Sequence, residues 1–152
     1  MRKANAESKP VILRVLKARS SANLPRYAHG GDAGLDLCAA EDLTIGPGSS
    51  SLVRTGIKVQ LPEQTEAQIR PRSGLALKHT VTVLNSPGTV DSGYRGEIGV
   101  ILINLGRRRF RVRQGMRIAQ LVVQPVLRVK VVEVSSLTNS KRATQGFGSS
   151  GI

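Results

Sequence analysis

A chain of 152 residues fits one domain with a core of its own, and its single cysteine, Cys38, excludes an intramolecular disulfide and a Cys-rich zinc site. No run approaches the ~18 apolar residues of a membrane helix, and residues 1–9 lack the apolar stretch of a signal peptide, so a cytoplasmic protein without a membrane partner is expected. The formal charge of +13, from 23 basic and 10 acidic residues, points to an anionic partner or to a self-repelling basic surface, whereas an aromatic content of 3% speaks against a platform that stacks single-stranded bases.

Residues 1–10 read as a disordered lead. From Val11 onward the chain consists of short β-branched segments broken by Gly and Pro. The strand candidates are 11–17, 35–39, 50–60, 65–70, 80–84, 98–104, 109–113, 118–125 and 128–134. Turn signals between them recur at about ten-residue spacing, which predicts an all-β sandwich or barrel over residues 11–134. At most one short helix is expected, around residues 74–78. Residues 135–152 turn polar and read as a flexible arm that does not pack on its own, yet they carry Phe147 between glycines. An aromatic there needs somewhere to land.

Four segments carry side chains that a β scaffold does not require. In Ala33-Gly34-Leu35-Asp36-Leu37, Asp36 faces away from its leucine neighbours, either into solvent or toward the hydration shell of a magnesium ion. Pro71-Arg72-Ser73-Gly74-Leu75-Ala76 ends a strand and opens a helical turn. Its hydroxyl, guanidinium and free N–H groups make either an anion site or an ordinary serine N-cap beside a solvent arginine. The segment from Asn85 to Glu97 bends between two alternating runs and places an amide, a carboxylate (Asp91) and one of only two tyrosines, Tyr94, in the bend. Gln120, in an otherwise apolar strand, needs partners, which backbone groups or a phosphate oxygen supply equally well. Arg107, Arg108, Arg109, Arg111 and Arg113 make an unusually basic turn and strand. A solvated face is the preferred reading of it, and a nucleic-acid contact the lesser one.

Taken together these segments resemble the trimeric dUTP pyrophosphatase (dUTPase) family, whose five motifs occur here in order. Ala33–Leu37 is similar to the first, Pro71–Ala76 to the second, Gly88–Gly96 to the third, Arg117–Leu121 to the fourth and Arg142–Gly151 to the fifth. The resemblance implies a jelly-roll-like distorted β-barrel subunit and a homotrimer whose three sites are shared between neighbours. It implies Mg2+-dependent hydrolysis of dUTP to dUMP and pyrophosphate, which keeps uracil out of DNA and supplies dUMP for thymidylate synthesis. Carried over residue by residue, Asp91 would activate the water that attacks the α-phosphorus. Asn85, with the backbone of its hairpin at Thr89 and Val90, would read uracil, and Tyr94 would pack under the deoxyribose. Arg72, Ser73, Gly74 and Gln120 would hold phosphates, and Asp36 would order magnesium-bound water. Arg142, Phe147, Gly148 and Ser149 would come from a neighbour's arm.

The chain departs from the family pattern at Ala143 and Gln145, where glycine is usual, and at Ser150, where threonine is usual. The related dCTP deaminases share the fold but need a glutamate roughly where Ile101 stands, and no acid lies between Glu97 and Asn104. A basic nucleic-acid-binding or regulatory protein on the same scaffold is the competing reading of a different class.

Overall fold

The computed structural model describes residues 11–140, 143, 144 and 146. In chain order these form β1 (Arg14–Lys17), β2 (Leu35–Cys38), β3 (Leu43–Ile45), β4 (Ser50–Gln60), β5 (Thr65–Arg70), α1 (Ser73–His79), β6 (Val81–Val83), β7 (Gly88–Asp91), β8 (Glu97–Asn104), β9 (Phe110–Val112) and β10 (Arg117–Pro125). Two four-stranded antiparallel sheets, β1–β4–β8–β6 and β2–β10–β5–β7, are joined by the small pair β3–β9. The expected all-β, jelly-roll-like subunit with one short helix is what forms.

Alternation explains the core. Along β8 every second residue (Ile98, Val100, Leu102, Asn104) is buried. The three aliphatic ones share one apolar cluster with Leu37 of β2, Ile69 of β5 and Leu121 of β10, so both sheets feed it. Each fully buried Leu or Ile there contributes about 1.5–3 kcal/mol.

β4 is interrupted between Arg54 and Lys58, where its register with β8 shifts. Gly56 sits there at φ +70°, and a Cβ would stand 2.8 Å from the Ala22 Cβ, so only glycine fits. Glu97 clasps this bulge: its carboxylate accepts from the Gly56 N–H at 2.9 Å, from Arg19 Nε at 3.1 Å and from Arg54 Nη1 at 3.4 Å. The clasp fixes the start of β8 and hence the end of the Asn85–Glu97 segment.

Asn104 plays the matching role at the other end of β8. Fully buried, it donates from Nδ2 to the Ile45 carbonyl at 3.0 Å and the Arg108 carbonyl at 2.8 Å, and accepts from the Gly106 N–H at 3.0 Å. Asn104→Ala removes these bonds and strands their partners, and is expected to cost about 2–4 kcal/mol, read as a lower urea midpoint.

The structure departs from the sequence-based expectations in four places. β3 is only three residues long, too short for alternation to announce it. Residues 88–91 do not stay in the bend: β6 and β8 do pair, with Val83 opposite Leu102, but the chain between them crosses to the other sheet, where β7 pairs with β5. Residues 128–134 alternate like a strand and form none, because no ladder partner reaches them among the described residues. Val129 and Val131 are left 80% and 89% exposed. Helix α1 is capped by Arg72, not by Ser73, and no side chain bonds its first turn. At its other end Lys78 and His79 complement the helix dipole, and Thr80 closes it in the left-handed region at φ 56°. Residues 135–140 form neither strand nor helix. The expected lead over residues 1–10 lies outside the described residues.

Candidate active site

β7 is the edge strand of its sheet. Paired to β5, it sets Gly88 opposite Ile69, Thr89 opposite Gln68, Val90 opposite Ala67 and Asp91 opposite Glu66. Its other edge has no ladder partner among the described residues, so a row of backbone donors and acceptors is available to a ligand. Asn85 leans back over this edge: a Cβ on Gly88 would lie 3.3 Å from both Asn85 Nδ2 and the Ile69 Cβ. Glycine at position 88 therefore makes the seat for the amide.

Beyond β7 the Tyr94 N–H donates to the Asp91 carbonyl at 3.0 Å and closes a turn. Arg95 Nη1 braces that turn by donating to the Ser92 and Tyr94 carbonyls at 2.7 and 2.8 Å. The Tyr94 ring folds over Gly96, where any side chain would collide with it, and its hydroxyl donates to the Glu97 carbonyl at 3.1 Å. A cavity of about 170 Å³ results, lined by Asn85, Thr89, Val90, Asp91 and Tyr94 with Ile69 and Ile98 among the apolar walls. Val90 is buried, whereas Thr89, Asp91 and Tyr94 are exposed. Among the described residues the Asp91 carboxylate has no hydrogen-bond or ion-pair partner. At Glu66 across the ladder, Gln124 and Gln68 both donate to Oε1, at 2.7 and 2.9 Å, and these bonds hold its carboxyl below the ordinary glutamate range.

A second cluster gathers around Asp36. The register of β10 places Gln120 between Asp36 of β2 and Arg70 of β5, with its side chain packed on Gly34 (a Cβ there would stand 3.0 Å from the Gln120 Cβ). Asp36 is 6% exposed and not solvent-facing. Its Oδ1 meets Arg72 Nε at 3.3 Å and its Oδ2 meets Arg117 Nη1 at 3.2 Å. Arg72 Nη1 also donates to the Arg117 carbonyl at 3.1 Å. The fork is thus locked, and among the described residues its Nη2 has no protein acceptor, so that nitrogen remains for a ligand. Ser73 and Gly74, exposed in the first turn of α1, lie beside it with their N–H groups beyond the reach of intrahelical bonding. Burial, then Asp36, push the neighbouring Cys38 thiol above its ordinary range, so it is a poor nucleophile.

Arg117 is the functional residue that motif-by-motif reading passed over. Its signal was position: three residues before Gln120 on the strand that pairs with β2, it falls beside Cys38 and so within reach of Asp36.

The two clusters do not merge. β2 and β7 are the opposite edges of one sheet, three strand spacings apart, or about 14 Å. The hairpin cavity is lined by none of Asp36, Arg72, Ser73, Gly74 or Gln120. Arg142, Phe147, Gly148 and Ser149 lie outside the described residues. No group of three or more His, Cys, Asp or Glu among the described residues could cage a metal ion. Asp36, with both oxygens already on arginines, could not cage a cation, so the donor set fits only one that brings most of its own ligands.

A sequence model of the dUTPase family matches residues 20–151 of this chain. The chain belongs to the dUTPase family. It is 62% identical over 140 residues to the deoxyuridine 5'-triphosphate nucleotidohydrolase of Gloeothece citriformis, covering 92% of this chain and 97% of that protein. To the nucleotidohydrolase of the same name from Alkaliphilus metalliredigens it is 57% identical, with the same coverage. Among solved structures, a G164S mutant of the Staphylococcus bacteriophage 80alpha dUTPase with dUpNHpp superposes at a TM-score of 0.86. The two are 26% identical, and the match covers 93% of this chain and 99% of the phage enzyme.

Proposed function

We infer that this chain is a dUTP diphosphatase, hydrolysing dUTP to dUMP and pyrophosphate by attack of water on the α-phosphorus. The observation that carries the reading is the Asp91 carboxylate, without a partner among the described residues, beside the cavity that Asn85 and Tyr94 line. The Asn85 amide and the free edge of β7 at Thr89 and Val90 offer alternating donors and acceptors to the pairing edge of uracil. Tyr94, held flat by its bond to the Glu97 carbonyl, packs under the deoxyribose and leaves no room for a 2′-hydroxyl.

Phosphoryl transfer asks the protein chiefly for positioning and charge stabilisation. Arg72 Nη2, Ser73, Gly74 and Gln120 take the phosphate oxygens. Mg2+ bound to the triphosphate would supply charge neutralisation, and Asp36 would hold it only indirectly, through water. Asp91 aligns the water and takes its proton as the new P–O bond forms and the bond to the pyrophosphate oxygen breaks. Arg142, Phe147, Gly148 and Ser149 close over the bound nucleotide, with the ring on uracil and the polar groups on the γ-phosphate.

Two observations support a homotrimer with sites shared between neighbours. The two halves of the site lie on opposite edges of one sheet and cannot meet on one copy. The segment after β10 exposes Leu127, Val129, Val131, Val132 and Leu137, an apolar arm that a neighbouring subunit would cover.

The test is pyrophosphate release with Mg2+ from dUTP, dCTP, dTTP and UTP side by side. Turnover of dUTP is expected to exceed that of each other nucleotide by at least about a hundredfold. Comparable turnover of UTP would remove Tyr94 from its role, and of dCTP would remove Asn85 from its own. No turnover of dUTP would sink the reading.

A further inference from the structure

Away from both halves of the site, the loop between β8 and β9 carries Arg107, Arg108 and Arg109, and the chain continues through Arg111 and Arg113. The alternation of β9 buries Phe110 and Val112 and turns Arg109, Arg111 and Arg113 outward. On an extended strand such residues repeat at about 6.6 Å. The end of α1 adds to this row. The His79 ring lies 5.3 Å from that of Phe110, and Lys78 and His79 line one concavity with Arg107, Arg108 and Arg109. A second concavity continues along Arg109, Arg111 and Arg113.

Six cationic side chains therefore share one face, and among the described residues the carboxylate that pairs with any of them is Asp42. It reaches Arg111 at 3.8 Å, with the two side chains 58% and 66% exposed respectively, an arrangement that contributes little. Four arginines elsewhere are matched by carboxylates: Glu97 takes Arg19 and Arg54, and Asp36 takes Arg72 and Arg117. The basic loop is also held in place. Asn104 bonds the backbone of Gly106 and Arg108, and the Leu105 N–H donates to the Thr80 carbonyl at 2.9 Å, tying the loop to the helix end. A face that served solubility alone would need neither the one-sided charge nor the fixed backbone.

We propose that the Lys78–Arg107–Arg108–Arg109–Arg111–Arg113 face binds the phosphate backbone of duplex DNA without regard to sequence. Guanidinium groups in a fixed row suit phosphate oxygens, and each one engaged releases condensed counterions. Duplex is favoured over single strand because Phe110 is buried and the face offers no exposed Phe, Tyr or Trp on which an unpaired base could stack. None of these residues belongs to the nucleotide site, so the proposal stands apart from the hydrolytic reading.

The test is fluorescence anisotropy of a labelled duplex of about twenty base pairs, titrated with the full chain at stepped salt up to ~0.15 M. Binding with a Kd of roughly 1–100 µM at the highest salt is expected, for unrelated sequences alike. The variant Arg107→Ser/Arg108→Ser/Arg109→Ser/Arg111→Ser should bind at least about tenfold more weakly and lower the salt slope by roughly three to four. Its dUTP turnover and melting temperature should match the parent's, which separates a lost surface from a lost fold. Any of four results overturns the proposal: parent-like binding by the variant; tighter binding of a single strand; displacement of duplex by dUpNHpp, which would put the DNA in the nucleotide site; or displacement by poly-glutamate as effective as by unlabelled duplex, which would indicate a docking face for an acidic protein.

Discussion

Asp91→Asn is expected to lower kcat for dUTP by about 10²–10⁴-fold while the affinity for dUpNHpp stays within about twofold of the parent's. The carboxylate stands at the end of β7, where pairing with β5 and the turn closed by the Tyr94 N–H hold its backbone from both sides. No described residue competes for its oxygens, whereas Glu66, the carboxylate across the ladder, already accepts at Oε1 from Gln68 and Gln124. Asparagine keeps the size and the outward direction of the side chain. It can still hold a water through its carbonyl oxygen, but it cannot take the proton as the oxygen–phosphorus bond forms. Because the Asp91 side chain is exposed and bonds none of the described residues, the melting temperature should not move. Single-turnover hydrolysis checks the rate and calorimetry with dUpNHpp checks the binding. Turnover near the parent rate would remove Asp91 from the chemistry. Loss of binding along with turnover would make it a ligand-positioning group instead.

The legible parts of this fold were those in which burial alternates over enough residues to be counted. β4, β5, β8 and β10 fall close to where their patterns put them, because one face of each must enter the core. β3 escaped notice because three residues carry no period. β7 did because it has only four residues and begins on a glycine and ends on an aspartate, two residue types disfavoured in strands. Residues 128–134 show the opposite error. Their alternation is real, but a strand is a statement about a partner, and pattern alone does not supply one. The site divides in the same way. Asn85, Asp91 and Tyr94 stood out because a bend has no use for them. Burial of Asp36 between two arginines was not readable, since Arg72 and Arg117 come from separate segments and meet only through the β2–β10 register and the cap of α1. The sequence-based choice between a solvent carboxylate and a magnesium-ordering one omitted the arrangement that forms, in which Asp36 first of all holds Arg72 and Arg117.

That arrangement makes a second large effect predictable: Arg72→Lys should lower kcat/KM for dUTP by about 10–100-fold even though the charge is kept. Arg72 uses three nitrogens in one plane. Nε is spent on Asp36 Oδ1 at 3.3 Å, Nη1 on the Arg117 carbonyl at 3.1 Å, and Nη2 is left for the ligand. A lysine ammonium is a single point. It can stay with Asp36 or reach toward a phosphate, and the buried carboxylate, nearer and already formed, wins when the site is empty. Substrate must then either pull the ammonium away from Asp36 or go without it, and either costs roughly one charged hydrogen bond, about 1.5–3 kcal/mol. Arg72→Ala should be worse on both counts, since Asp36 then keeps only Arg117, and a lowered melting temperature should accompany the lost activity. The base and sugar contacts lie across the sheet on β7 and its turn, so competitive inhibition by deoxyuridine, which carries no phosphate, should be the same for parent and lysine variant. A fall in deoxyuridine affinity would mean that the substitution disturbed the sheet. Parent-like kcat/KM in Arg72→Lys would mean that Arg72 serves Asp36 alone and that the phosphates are held by Ser73, Gly74 and Gln120 without it.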